Sequence, residues 1–249
     1  MPKTIIVIPC YNEAKRLDTN AFITFANLHP DIHFLFSNDG STDDTPEIIV
    51  KLCALNAEAF SLYSLQLNRG KAEAVREGLL HALNETPEYI GFWDADLATP
   101  LETILEFILL MESQLHLQMV VGSRVKLLGR TVERNGVRHY LGRIGATLAS
   151  IVLDLGVYDT QCGAKLFRVS PETTAVFATP FLARWVFDIE IFARLIIRRR
   201  ERGEPPAETV IYELPLKVWK DVRGSKVKSQ DFLTAFWELL RIRRHYFTR

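Results

Sequence analysis

The sequence predicts an α/β fold with a mostly parallel, Rossmann-like sheet flanked by helices. Three observations lead to this class. Short apolar runs rich in β-branched residues alternate with segments of helical periodicity over roughly the first 120 residues. Each apolar run is brief enough for a buried strand. Polar or charged residues follow the end of every such run, as is usual where parallel strands meet a binding site.

The expected elements follow the chain in strict alternation. We predict strands at residues 4–9, 33–37, 60–65, 89–93 and 119–122. Helices are predicted at residues 18–28, 45–55, 71–83 and 101–113. The second helix carries Pro46 in its first turn, where proline is tolerated, after Thr42 or Asp44 as its cap. Right-handed crossovers between these strands predict a parallel sheet.

The pattern loosens after Arg124. Residues 126–136 read as a basic, glycine-containing loop, 137–153 as a helix and 154–165 as a loop. A helix is expected at 185–200, a strand at 209–219, a basic loop at 220–228 and a final helix at 230–246. We expect one domain at residues 1–228 with halves at 1–123 and 124–228, and an amphipathic helix at 229–249.

Composition bounds the class of protein. The chain has 249 residues, of which 48% are apolar and 24% charged, so a packed core is expected rather than disorder. No run approaches the roughly 20 apolar residues that span a bilayer, and the first residues do not resemble a signal peptide. Three cysteines without metal-site spacing favour a reducing, cytoplasmic location.

Charge is unevenly distributed although the net charge is zero. Residues 184–249 hold 15 Lys/Arg and 9 Asp/Glu, a net charge of +6, which leaves −6 for residues 1–183. A basic C-terminal part favours an anionic partner there, although chance clustering on a solvated face is an equal alternative. The basic residues lack interleaved aromatics in a recognised motif, so we expect no nucleic-acid partner.

Five predicted strand ends carry polar chemistry at one edge of the sheet. The residues concerned are 10–13, 38–41, 67–71, 94–96 and 123–124. Asp94 and Asp96 follow a buried strand, where two carboxylates repel each other unless a cation is present. Carboxylates completed by substrate phosphates and waters are what Mg²⁺ or Mn²⁺ binds. A lone Asp-x-Asp is common by chance, so the position of this one is what makes it a metal candidate.

Two familiar phosphate-binding patterns are missing from the sequence. No GxGxxG follows the first strand and no GxxxxGK[ST] occurs, which disfavours a dinucleotide-dependent dehydrogenase and a Walker-type loop. A bound nucleotide would therefore be held by side chains.

A resemblance covers almost the whole chain. The matching stretches, in order, are VIPCYNE (7–13), NDGSTDDT (38–45), NRGKAEAVREG (68–78), DADLATP (94–100), VGSR (121–124), DTQCGAKLF (159–167), RWVFDIE (184–190) and GSKV (224–227). The sequence resembles the family-2 glycosyltransferases of the GT-A fold. It is most similar to their branch of dolichyl- or polyprenyl-phosphate β-glucosyltransferases and dolichyl-phosphate mannose synthases. Asn38 stands where Asp is usual, and Ala72 where Gly is usual.

The resemblance implies roles for individual residues. Residues 1–123 would form a nucleotide-sugar-binding half and residues 124–228 an acceptor-side half. Arg124 and Arg138 match basic positions near the donor diphosphate and the acceptor phosphate. The positions expected to hold the nucleotide are Pro9, Tyr11, Glu13, Asp39 and Asp94, with Asp94 and Asp96 also at the metal.

Further candidates come from residue chemistry. Lys71 opens a helix at the same edge and is a candidate for phosphate contact or a solvated lysine, and Lys165 is a candidate for the acceptor phosphate. Asp188 is either a general base for a hydroxyl acceptor or the ion-pair partner of Arg184, four residues earlier. Glu190 has Arg194 as the corresponding partner.

The resemblance implies an inverting hexosyl transfer from a nucleotide diphosphate sugar, with UDP-glucose favoured, to polyprenyl or dolichyl phosphate. Negative charge grows on the departing nucleoside diphosphate, where a metal at Asp96 and basic side chains stabilise it. Two alternatives stay open: transfer to a glycan hydroxyl, which would make Asp188 essential, and a non-catalytic nucleotide-sugar binding module. The oligomeric state is not determined by the sequence.

The last helix is strongly amphipathic. Its aromatic and aliphatic residues, including Phe236 and Trp237, share one arc at 100° per residue, and Arg241, Arg243 and Arg244 crowd its end. This composition is typical of a helix lying in a membrane interface over anionic lipid, and would make the protein peripheral on the cytoplasmic membrane face. The alternative is a terminal helix packed on the core.

Overall fold

The computed structural model describes residues 3–133, 136–222 and 229–248, excluding the side chains of residues 136–141 and 229–232. Its strands are β1 (Thr4–Cys10), β2 (Ile32–Asp39), β3 (Phe60–Leu65), β4 (Tyr89–Trp93), β5 (Met119–Ser123), β6 (Thr131–Glu133), β7 (Ala164–Arg168), β8 (Ile211–Pro215) and β9 (Val218–Lys220). Its α-helices are α1 (Thr19–Leu28), α2 (Thr45–Leu55), α3 (Lys71–Ala82), α4 (Thr103–Ser113), α5 (Gly136–Leu153), α6 (Pro171–Phe177), α7 (Phe187–Glu201) and α8 (Ser229–Ile242).

Seven of these strands form one mixed sheet in the order β3-β2-β1-β4-β7-β5-β8. Neighbouring strands run parallel except at β7, which is antiparallel to both β4 and β5. Strands β6 and β9 form a separate parallel pair. The predicted α/β class with a mostly parallel sheet is therefore confirmed, and the carboxyl ends of β1, β2, β4 and β5 meet at one edge.

Both faces of the sheet are covered by helices. Ile5 and Val7 of β1 point into one apolar layer, which includes residues of α3, α7 and α8. Ile6 and Ile8 point into the other, which includes residues of α1, α2 and α4. This strict alternation follows from the two-residue period of a strand. It explains why β1 reads as a continuous hydrophobic run in the sequence.

Several predicted elements are exact and others are wrong. The structure confirms the predicted bounds of α2, β3 and β4. The predicted loop at residues 154–165 overlaps the start of β7, and the single strand at 209–219 divides into β8 and β9. Strand β6 and helix α6 were not predicted. β7 escaped prediction because Lys165 interrupts a short apolar run, and this lysine is paired with a distant carboxylate rather than solvated.

The terminal helix packs on the core through only some of its apolar residues. Leu239 and Ile242 are buried in the core layer of α7. The arc of larger apolar side chains remains exposed and comprises Leu233, Phe236, Trp237 and Leu240. A short π-turn at Arg243–Phe247 continues the helix. Among the described residues, no helix has the length and apolar character needed to cross a membrane.

Candidate active site

The loops after β1 and β2 are tied to each other at the sheet edge. Asn12 adopts a left-handed conformation, with φ of 51°. Its backbone N–H donates to Ser41 Oγ at 3.0 Å, and its Oδ1 accepts from the backbone N–H of Thr42 at 2.8 Å. The N–H of Glu13 donates to Thr45 Oγ1 at 2.8 Å. The side chains of Asn12, Ser41 and Thr45 therefore hold the two loops together.

Three of the predicted nucleoside residues, Pro9, Tyr11 and Glu13, lie at the end of β1 and in the loop that follows it. Tyr11 is 37% exposed and lies beside the partly buried Pro9. The Glu13 carboxylate is buried and accepts two hydrogen bonds from the guanidinium of Arg16, at 2.8 and 2.7 Å. Glu13 thus also fixes the loop that follows β1.

Asp39 is buried at the end of β2 and holds the loop after β3. Its two carboxylate oxygens accept the backbone N–H groups of Arg69 and Gly70 at 2.7 and 2.8 Å. Desolvation raises the pKa of Asp39 above its ordinary value, while these two hydrogen bonds oppose the shift. Asn38 beside it accepts from the N–H of Ser41 at 3.1 Å. Asn38, which stands where the family that the sequence resembles usually has Asp, thereby serves as a turn residue.

Asp94 and Asp96 stand at the end of β4, as the strand-end rule predicted. Lys71 Nζ, from the first turn of α3, lies 2.5 Å from Asp94 Oδ1. The Lys71 side chain is 42% exposed, and its partial desolvation tends to lower its pKa, but the charges of Asp94, Asp188 and Asp96 outweigh this effect and the pKa lies above its usual value. The lysine therefore acts as a resident cation beside the carboxylates.

The environment of Asp96 suits a divalent cation. Desolvation and the charge of Asp94 raise the pKa of Asp96, which marks a pair of acids that repel each other. Within the described part of the chain, no group of three or more His, Cys, Asp or Glu is arranged to hold a metal. Mg²⁺ commonly takes one or two protein carboxylates and completes its shell with water and substrate phosphates. Asp94 and Asp96 fit that mode of binding.

Because Gly163 has no side chain, the Asp94 carboxylate has room to lie beside it. The Asp94 N–H donates to the carbonyl of Gly163 at 2.9 Å, where β7 approaches β4. A Cβ on Gly163 would lie 1.9 Å from Asp94 Oδ2, well inside contact distance. The glycine of the DTQCG stretch is therefore a steric requirement of the Asp-x-Asp site.

Arg124 is held by a chain of acidic residues. Its guanidinium donates to both carboxylate oxygens of Asp159, at 2.6 and 2.7 Å, and lies 5.5 Å from the centre of the Trp219 ring. Burial tends to lower the pKa of Arg124, but Asp159 outweighs it and raises the pKa. Glu213 on β8 accepts the backbone N–H groups of Tyr158 and Asp159 at 2.8 and 2.7 Å.

A small cavity of about 30 Å³ adjoins this pair and helix α5. Its lining includes Arg124, Arg143, Tyr158 and Gln161. Arg143 stacks its guanidinium 3.6 Å from the centre of the Tyr158 ring and was not predicted from the sequence. The side chain of Arg138, one of the predicted acceptor-phosphate residues, lies outside the described side chains.

Lys165 and Asp188 form a buried ion pair behind Asp94. Lys165 has no exposed side-chain surface, and its Nζ donates to Asp188 Oδ1 and, at 2.7 Å, to the carbonyl of Cys162. The structure therefore gives Lys165 no surface for the acceptor phosphate, contrary to expectation. Asp188 pairs with Lys165 rather than with Arg184, because the two lie on facing elements. Burial raises the pKa of the Cys162 thiol to about 11, so this cysteine stays protonated.

The second expected pair is present. Arg194 Nη2 lies 2.8 Å from Glu190 Oε1. Both side chains are buried, and Tyr246 donates to the same carboxylate oxygen at 2.9 Å. Glu190 is thus a structural residue that joins α7 to the end of the chain.

Comparison with known proteins places these features in context. The family model described as glycosyl transferase family 2 matches residues 5–173. A dolichyl-phosphate β-glucosyltransferase of Trichomonas vaginalis is 31% identical over 251 residues, which cover 96% of this chain and 70% of that protein. The enzyme of the same description from Saccharomyces cerevisiae is 31% identical, covering 97% of this chain and 74% of its own.

Solved structures share the fold at low sequence identity. Glucosyl-3-phosphoglycerate synthase from Mycobacterium tuberculosis, in complex with Mn²⁺, UDP-glucose and phosphoglyceric acid, superposes with a TM-score of 0.64 at 16% identity, covering 97% of this chain and 80% of that one. A mannosyltransferase from Pyrobaculum calidifontis, in complex with GDP-Man and Mn²⁺, gives a TM-score of 0.60 at 16% identity, covering 96% and 64%.

Proposed function

The chain belongs to glycosyl transferase family 2, and on that premise we propose that it moves glucose from UDP-glucose to dolichyl or polyprenyl phosphate with inversion at the sugar carbon. The observation that carries the proposal is the pair Asp94 and Asp96 at the end of β4, with Lys71 Nζ 2.5 Å from Asp94 Oδ1. The relatives named dolichyl-phosphate β-glucosyltransferase support the choice of sugar and acceptor.

In the donor half, each residue has a distinct task. Tyr11 stacks on the base, while Pro9, Glu13 and Asp39 shape the nucleoside pocket through the loops they fix. Lys71 and Asp94 face the diphosphate. The positive charge of Lys71 stabilises negative charge that develops on the departing nucleoside diphosphate.

A divalent metal fits the same position. Asp94 and Asp96 would hold Mg²⁺ or Mn²⁺, and the ion would supply further positive charge against the leaving group. The two neighbouring folds with bound Mn²⁺ support this choice of cofactor. Gly163 keeps the space that the Asp94 carboxylate occupies.

A phosphate acceptor makes a general base unnecessary. The second pKa of a phosphate monoester is about 6, so the nucleophile is already an anion near neutral pH. It needs positive charge to offset its repulsion by the donor diphosphate, and Arg124, Arg138 and Arg143 are candidates for that role. The burial of Asp188 against Lys165 disfavours the alternative of a glycan hydroxyl acceptor, because a base must reach its proton.

Helix α8 is proposed to bring the enzyme to its lipid acceptor. Its exposed apolar arc includes Phe236 and Trp237, and Arg241, Arg243 and Arg244 are exposed at its end. Aromatic rings favour the headgroup zone, and each basic residue near an anionic surface contributes about 1 kcal/mol. We infer peripheral binding to the cytoplasmic face of an anionic membrane. The expected second contact, the loop at residues 223–228, lies outside the described residues.

The transfer reaction is tested with purified protein and a panel of nucleotide sugars, with and without polyprenyl phosphate, by following release of nucleoside diphosphate. We expect release of UDP from UDP-glucose that requires both the lipid phosphate and a divalent metal. Release that requires a glycan instead, or binding of nucleotide sugar with no turnover on any acceptor, would overturn the proposal.

Membrane binding is tested by co-sedimentation with liposomes. We expect binding that requires anionic lipid, weakens as salt rises, and falls when Arg241, Arg243 and Arg244 become Gln. Arg243→Gln and Lys51→Gln form a matched pair of single charge changes, since Lys51 is exposed on α2, across the sheet from α8. Equal binding by the triple variant and the unmodified protein would refute the proposed membrane binding through α8.

A further inference from the structure

Four successive backbone N–H groups, from Ala183 to Val186, donate to two carboxylates. The Ala183 N–H donates to Glu190 at 2.8 Å. The N–H groups of Arg184, Trp185 and Val186 all donate to Glu238, at 3.0, 2.9 and 3.0 Å. One carboxylate of the terminal helix thus accepts three consecutive backbone donors more than fifty positions away in sequence.

The electrostatics of this arrangement favour a charged acceptor. Val186 is the N-cap residue of α7, where the helix dipole presents positive partial charge. Successive N–H groups pointing in one direction form a concave anion site. Glu238 fills this site from a different element, and it replaces the local cap that Val186, an apolar residue, cannot provide.

The segment held by Glu238 adjoins the donor side of the active site. The guanidinium of Arg184 donates to the carbonyl of Arg69 at 3.1 Å. A Cβ on Gly70 would lie 3.2 Å from Arg184 Nη2, so the arginine covers this turn closely. Arg69 and Gly70 are the two residues whose N–H groups bind Asp39.

We propose that Glu238 is a positioning residue that links the terminal helix α8 to the donor-binding loop. By fixing residues 184–186 it sets Arg184 against Arg69 and Gly70, and so maintains the wall of the nucleotide pocket. The helix that carries the exposed apolar arc is thereby connected to the donor site through the side chains of Glu238 and Arg184. This inference rests on the proposed use of a nucleotide-sugar donor.

Glu238→Ala and Glu238→Gln test the link, with Glu208→Gln as the control. Glu208 is exposed in the short turn at Ala207–Thr209. We expect Glu238→Ala to raise the KM for UDP-glucose about five- to tenfold, the net size of the single Arg184–Arg69 hydrogen bond that the three Glu238 contacts hold in place. The kcat per folded molecule should stay within about twofold of the unmodified value, because these hydrogen bonds lie outside the reacting centre. Glu238→Gln keeps one acceptor oxygen and should give a smaller rise.

Hydrogen exchange supplies a readout that does not depend on turnover. We expect faster exchange at the amides of residues 184–186 in Glu238→Ala, and also at Arg69 and Gly70. A lowered melting temperature and faster exchange confined to 184–186, with an unchanged donor KM, would show a purely structural cap and overturn the link. If the unmodified protein uses no nucleotide sugar, the proposed function fails, while exchange at Arg69 and Gly70 still decides whether the link exists.

Discussion

Replacing Asp188 by Asn distinguishes a structural role, as the ion-pair partner of Lys165, from a catalytic role as a general base. Lys165 has no exposed side-chain surface, that of Asp188 is 8% exposed, and the two side chains form an ion pair. Breaking such a pair from one side leaves a buried charge without its partner, at a cost of about 3–5 kcal/mol. For a chain of this size each kcal/mol shifts the melting temperature by about 2–4 °C, which gives a fall of roughly 6–20 °C. Asn still accepts a hydrogen bond from Lys165, so we expect the lower part of that range.

Activity must be measured on folded protein to be informative. At a temperature well below the melting point, we expect transfer by Asp188→Asn to polyprenyl phosphate to fall less than about tenfold, whereas loss of a general base costs about 10²–10⁴-fold. Glu172→Gln is a control at a comparably buried pair, since Glu172 lies 3.0 Å from Arg199. Arg199 keeps a second carboxylate partner, Glu204 at 3.0 Å, so this control should lose less stability than Asp188→Asn and keep its activity.

A second variant checks the source of the instability. Replacing Asp188 by Leu and Lys165 by Met together removes both charges. The double variant should therefore lose less melting temperature than the sum of the losses in the two single variants. An unchanged melting temperature in Asp188→Asn would refute the assignment of the pair as a stabilising element. A loss of 10²-fold or more in folded enzyme, with donor binding unaltered, would instead identify Asp188 as a base and favour a hydroxyl acceptor.

Three other perturbations test the metal site. Asp96→Ala should abolish transfer, as excess chelator should for the unmodified enzyme, while calorimetry shows an unchanged or slightly raised melting temperature; full activity in either case contradicts the site. Gly163→Ala should displace the Asp94 carboxylate and lower turnover about 10²-fold, the cost of misplacing a group by about 1 Å. Because the pKa of Asp96 is higher in the folded protein than in the unfolded chain, ionisation of Asp96 destabilises the fold. The folded protein therefore loses stability as pH rises through the folded-state pKa. Asp96→Asn should therefore stabilise the metal-free protein more at pH 7 than at pH 4, and an equal effect at both would refute this.

Much of the first half of the fold could be predicted because its signals are local. Apolar runs and helical periods are each read from a short stretch of adjacent residues, and α2, β3 and β4 agree with the structure to the residue. The later half depends on distant pairing. β7 was not recognised because Lys165 interrupts its short apolar run, and only the structure shows this lysine buried against Asp188.

The strand-end rule brought the candidate site together only in part. It placed Asp94, Asp96 and Asp39 at one edge, since the parallel order of the strands dictates that outcome. It could not show what each carboxylate accepts. Asp159, which binds Arg124, lies in a loop, and Glu213, which binds the backbone of Asp159, lies on β8 at one end of the sheet. Only Asp159 belongs to a stretch, DTQCG, that the resemblance pointed out.

The terminal helix shows why periodicity alone does not determine how a helix packs. The sequence places its largest apolar residues on one arc, and a core-facing helix would bury that arc. Here only one edge of that arc, at Leu239 and the neighbouring Ile242, contacts the core, and Glu238 secures the helix by hydrogen bonds to residues 184–186. Since these contacts hold α8 without using Phe236 or Trp237, the exposed arc is left free to contact another apolar phase. The proposed membrane surface would supply that phase, and core contact through Leu239 and Ile242 is compatible with it.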